Sequence, residues 1–104
     1  MYKIEYLGPV LKDMEEIISY ISHTLHNPEA AENLAGEFVE KIDSISEFPY
    51  GRPLYYPIRK LAHEYRKLIV RKYTVFYWIE EDNKTVKIAR VIFSASDINR
   101  KLSE

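Results

Sequence analysis

The chain contains no cysteine, which removes disulfide frameworks and thiolate metal sites from consideration. A reducing cytoplasm is compatible with that absence and is the expected location. No apolar stretch approaches the roughly 20 residues that a membrane span requires, and no membrane association is expected. The opening Tyr2-Lys3-Ile4-Glu5-Tyr6 alternates polar with apolar residues and lacks the continuous apolar block of a signal peptide. Glycine is scarce, with three in 104 residues. Proline is at its ordinary level, and three of the five prolines fall at 49, 53 and 57. Long regular elements with one irregular section are therefore expected. No repeat or low-complexity segment is present, and residues 1–104 suffice for a single domain with one core.

What is present is an ordinary globular balance, 46% hydrophobic and 30% charged, with a net charge of -1. That small net charge conceals an asymmetry. Residues 1–48 carry three lysines against ten acidic residues, whereas residues 49–104 carry twelve Lys or Arg against six acids. The window from Arg59 to Lys72 holds six cations and only Glu64 against them. A molecule with one acidic and one basic side follows, and the basic side would receive an anionic partner. Neutralisation of a basic sheet by acidic helices within the monomer fits the same pattern equally well.

Periodicity supplies the elements. Tyr2, Ile4 and Tyr6 make a strand with one buried face, ended by Gly8-Pro9. Val10, Met14, Ile17, Ile18, Ile21 and Leu25 recur at helical spacing, with Asp13, Glu15 and Glu16 expected to face outward. Asn27-Pro28-Glu29 is a helix start, and Ala31, Leu34, Phe38, Ile42 and Ile45 form the stripe of that second helix. Gly36 lies inside it, where it would allow close packing on the first helix. Residues 48–57 contain three prolines and a glycine, which exclude regular structure and predict an ordered crossover pinned by its aromatic side chains.

Tyr65 to Val70 and Tyr73 to Ile79 then read as two strands around an Arg71-Lys72 turn, followed by a third strand from Thr85 to Phe93. In that last strand, strict alternation sets Val86, Ile88 and Ile92 against Ala89, Val91 and Phe93. Ser96-Asp97 would cap a short final helix ending near Leu102. The fold class is α+β in the order β-αα-βββ-α. A helical hairpin packs on one face of a small, mainly antiparallel sheet. In the middle strand Tyr73, Val75, Tyr77 and Ile79 are expected to meet the hairpin. Phe76 and Trp78 point the other way, where only a turn or two of helix remains as cover. Phe76, Trp78 and Phe93 are therefore the expected partner-binding surface.

Several segments in this order resemble the RelE/ParE superfamily of bacterial type II toxin–antitoxin toxins. They are Tyr2 to Tyr6, Asn27-Pro28, Phe48-Pro49-Tyr50-Gly51-Arg52-Pro53, Tyr65-Arg66-Lys67-Leu68, Tyr73 to Tyr77, and Val86 to Asp97. The resemblance implies the toxin of a plasmid-stabilisation type of module, wrapped on its sheet by a cognate antitoxin through which alone it would meet operator DNA. Members either cleave ribosome-bound mRNA, as RelE does, or poison DNA gyrase, as ParE does. No cofactor is implied.

A metal-independent endoribonuclease must remove the 2'-hydroxyl proton, offset phosphate charge and protonate the leaving 5'-oxygen. Arg66 matches an arginine that the family places near the start of its second strand, and is the candidate phosphate clamp. His63 and Glu64 are the nearest acid–base candidates, although a His-Glu pair in a turn more often is solvated. Arg52, Arg59, Lys60, Arg71 and Lys72 are candidate nucleic-acid or target contacts. His23 and His26 lack a third ligand and read as helix-end histidines, so no metal site is expected. Near the end of the last strand, where RelE-like and YoeB-like nucleases carry Arg, His or Tyr, this chain has Ile92, Phe93 and Ser94, then Ala95-Ser96. The pI of about 6.3 also departs from strongly basic ribosome-binding members. Both departures favour gyrase inhibition, or a catalytically degenerate protein, over mRNA cleavage. A non-toxic binding module with the same fold, or an unrelated small enzyme or adaptor, are the further readings.

Overall fold

A computed structural model describes residues 1–103. Strand β1 (Lys3–Tyr6) leads into α1 (Gly8–Ser19), which continues as a π-helical turn over Tyr20–Thr24. Helix α2 (Pro28–Asp43) follows, then short 3-10 turns at Ser44–Ser46 and Pro49–Gly51. Strands β2 (Arg66–Val70), β3 (Tyr73–Glu80) and β4 (Thr85–Phe93) precede the short α3 (Ile98–Leu102). The sheet order is β1-β4-β3-β2. The last three strands form an antiparallel meander, and β1 adds in parallel to β4. Among the described residues no helix is long and apolar enough to cross a membrane.

Local chemistry sets the boundaries. The Asn27 side-chain oxygen accepts from the Ala30 amide at 3.1 Å, and Pro28 occupies the first turn of α2, where its missing N–H is harmless. Asp97 caps α3 through the Arg100 amide at 3.3 Å. All five apolar residues expected on the α2 stripe are buried. Leu34, Phe38, Ile42 and Ile45 pack with Val10 of α1 against Leu68, Val70, Val75, Tyr77, Val86, Ile88 and Val91 of the sheet. Tyr73 and Ile79 border the same core, so the hairpin meets the expected face of β3.

Four expectations are corrected. Leu25 is 54% exposed rather than buried, because the Leu25 amide bonds to the Tyr20 carbonyl at i→i+5. This wider π turn rotates it off the α1 stripe. Gly36 is exposed, and an added Cβ would meet nothing within 4 Å, so it mediates no close helix contact. In β4, Phe76 pairs with Arg90 but Tyr77 pairs with Ile88, leaving Ala89 as an extra residue. This bulge reverses the alternation. Val86, Ile88 and Val91 share the helix side, while Ala89 and Ile92 face the other way.

The fourth concerns that other face. Phe76 is fully buried there, with Tyr65, Ala89, Ile92 and Leu102 around it and Leu7, Tyr55, Leu61, Trp78 and Ile98 at the margin. Residues 53–65 fold back across the sheet, so irregular chain supplies cover that helix counting does not anticipate. Phe76 is therefore a core residue and offers no surface to a partner.

Candidate functional site

Arg66 opens β2 opposite Tyr77 and lies on the helix side of the sheet. Its Nη1 donates to the Arg52 carbonyl at 2.7 Å and the Tyr50 carbonyl at 3.2 Å. Its guanidinium carbon stands 5.1 Å from the centre of the Tyr50 ring. The buried Tyr77 hydroxyl donates to the Pro49 carbonyl at 2.6 Å. Burial pushes that phenol up to about 12. Two side chains from adjacent strands thus satisfy three carbonyls of the proline-rich crossover, whose own backbone closes only the Gly51-to-Phe48 turn at 3.0 Å among the described residues.

Beyond Tyr50 the same edge closes on Glu81. Its carboxylate accepts from the Tyr2 hydroxyl at 2.9 Å, from the Tyr50 hydroxyl and from Lys84. The Lys84 ammonium and the two phenols, in that order, hold Glu81 down at about 2. Tyr50 is raised by the same hydrogen bond. A carboxylate so stabilised is a poor proton acceptor, and a phenol bonded to it is a poor donor. The cluster ties β1, the crossover and the β3–β4 turn together.

His63 and Glu64 are not near it. The His63 ring lies flat on Trp78, 3.8 Å between centres and 3° between planes, on the opposite face of the sheet from Arg66. The three candidate catalytic residues do not share a cleft. Arg71 lies in the β2–β3 turn with φ of 53° and donates to Glu37 at 2.6 Å, so one cation of the basic window neutralises an α2 acid within the chain. Lys72, Arg52, Arg59 and Lys60 are exposed. Phe93 is 45% exposed and touches the Tyr73 ring, with Tyr20 of the π turn also half exposed nearby.

One charged constellation went unanticipated. Asp13 does not face outward: it receives Arg90 Nε at 2.6 Å, Nη2 at 3.0 Å and the Val91 amide at 3.0 Å. Arg90 Nη1 donates to the Lys101 carbonyl at 2.9 Å. The carboxylate satisfies an amide at the bulge, and the bidentate pair joins α1, β4 and the end of α3. The available signal was Arg90 itself, a cation inside an apolar strand that needs a partner when partly buried.

These elements, in this order and around this sheet, match a known family over nearly the whole chain: the ParE toxin of the parDE type II toxin–antitoxin system matches residues 4–98. The chain belongs to the ParE toxin family.

The fold of this ParE-family chain is shared by solved structures at low sequence identity. A chain from the chromosomal ParDE toxin–antitoxin system of P. aeruginosa superposes with a TM-score of 0.71 at 16% identity, covering 89% of this chain and 96% of that one. A chain of the RelBE2 toxin–antitoxin complex from Mycobacterium tuberculosis gives 0.60 at 18% identity, over 88% and 96%. The archaeal RelE–RelB complex from Pyrococcus horikoshii OT3 gives 0.60 at 16%, over 90% and 96%. No curated protein sequence matches the chain significantly.

Proposed function

We propose that this ParE-family chain is a cytoplasmic toxin that acts by binding DNA gyrase, and that a co-expressed antitoxin neutralises it. The observation that carries the gyrase reading is the commitment of Arg66 to the Tyr50 and Arg52 carbonyls. A phosphate clamp needs that fork directed at a ligand. The other nuclease roles are equally unsupported. His63 and Glu64 are across the sheet, Glu81 is too weak a base, and Ile92 to Ser96 bring no group that titrates near neutrality. Inhibition by binding requires no acid–base pair.

The antitoxin fits the half-exposed Tyr20 and Phe93 around Tyr73, at the open end of the groove between α1 and β4. The structural neighbours come from toxin–antitoxin systems and complexes, in agreement with such a partner.

Expression of the chain alone should arrest bacterial growth, and co-expression of the adjacent gene should relieve the arrest. Full growth at high soluble expression would defeat the toxin reading. Messenger RNA should stay intact when the protein is added to a translating extract. Cleavage that disappears in Arg66→Ala would replace the gyrase reading with an RNA-cutting one.

A further inference from the structure

The tip of the crossover is the feature that the fold leaves unexplained. Ile58 is 92% exposed and Tyr56 82%. Pro57 lies between them, and Arg59 and Lys60 follow, both exposed and without a side-chain partner among the described residues. A slack loop of this composition would collapse onto the sheet to bury its apolar groups. This one is held away at fixed points. The Ile58 amide donates to the Asn99 side-chain oxygen at 2.9 Å, and Tyr55 packs edge-on to Phe76 at 5.3 Å. At its base, Tyr55 and Lys67 amides donate to the Tyr65 and Pro53 carbonyls, and His63 is stacked on Trp78. The ordering cost of the loop is largely met in folding, which favours binding by a preformed surface.

We propose that Tyr56–Lys60 is the segment with which the toxin grips its target, inserting Tyr56 and Ile58 into an apolar pocket whose rim bears carboxylates facing Arg59 and Lys60. This rests on the toxin reading above. The chemistry fits a protein rather than a nucleic acid. Ile58 has no π face for base stacking and no donor for a base edge, whereas single-strand binders pair cations with aromatic platforms. The net charge of -1 supplies no general field for a polyanion. The tip also lies across the sheet from Tyr20, Tyr73 and Phe93, so target and antitoxin would use different faces.

Two double variants of the full chain test the proposal, Tyr56→Ala/Ile58→Ala and Arg59→Glu/Lys60→Glu. These side chains are exposed, so unchanged melting and unchanged emission from Trp78, the only tryptophan, should report an intact fold and loop base. Each variant is expected to need at least tenfold more protein to halve supercoiling by purified gyrase, while antitoxin affinity stays within twofold. Unchanged inhibition by the apolar variant would overturn the proposal. So would a parallel loss of antitoxin binding, or a loss confined to the charge-reversal variant, which would indicate phosphate recognition. If wild type leaves gyrase untouched but arrests growth, the gyrase reading fails alone. Arrest lost in both variants then upholds the gripping segment, and arrest retained overturns it. No arrest by wild type overturns both.

Discussion

The two faces of one sheet are covered in different ways. On the helix side, twelve buried residues from both helices and all three meander strands interlock as an aliphatic core around Phe38 and Tyr77. On the other side the apolar cluster has five buried members among the described residues, and its cover is an irregular aromatic crossover with one short helix. Regular cover buries what it carries, since a helical stripe aligns apolar groups inward. Irregular cover fastened at a few points leaves side chains standing outward, and the most exposed tyrosine and isoleucine of the chain are there. The first face carries the larger apolar core, and the second carries the exposed crossover tip.

Phe38→Ala should show the largest effect. Its ring is fully buried and meets Tyr73 edge-on at 5.9 Å, and its loss should cost about 3–5 kcal/mol in denaturant unfolding. Tyr55→Ala on the other face should cost roughly half of that, because its ring is only partly buried. Equal losses would break the distinction between the two faces.

Next in size is Asp13→Asn, which removes the carboxylate charge from the partly buried Asp13–Arg90 pair. A loss of about 2–3 kcal/mol is expected by the same measurement. A loss near that of an exposed ion pair, under about 1 kcal/mol, would show that the bulge holds without its carboxylate.

Tyr77→Phe removes the hydrogen bond to the Pro49 carbonyl and should cost about 1–2 kcal/mol. Its pH dependence is the sharper test. Burial favours the neutral phenol and raises the folded value to about 12 from an ordinary 10.0. The stability that it contributes is complete below pH 10 and is lost as pH rises from 10 toward about 12. Unfolding curves of Tyr77→Phe should lack this part of the alkaline decline.

The smallest expected effect is a gain. Gly36→Ala fills open space on an exposed helical turn and should stabilise the protein by about 0.5–1 kcal/mol. A destabilisation would reveal a hairpin contact absent from this arrangement.

What could be read from the sequence divides along the same line as the two faces. Ala31, Leu34, Phe38, Ile42 and Ile45 repeat at helical spacing, and Val75 and Tyr77 alternate, so the hairpin and its face of the sheet were legible. The cover over Phe76 was not, because prolines 49, 53 and 57 erase periodicity while still allowing chain to pack. The Ala89 bulge has no residue signature, and it displaced Val91 and Ile92 from their expected sides. At the candidate site, Arg66 was found by resemblance, but its partners are backbone carbonyls, which leave no trace in side-chain type. Asp13 read as one of several helix acids, and only the fold brings it 2.6 Å from Arg90.

The most direct test of the functional account is a gyrase supercoiling reaction titrated with the purified toxin, before and after addition of its antitoxin. Supercoiling should fall as toxin is added, antitoxin should restore it, and Arg66→Ala should still inhibit at concentrations where it is folded. Unimpaired supercoiling at a large excess of folded toxin would contradict the gyrase reading.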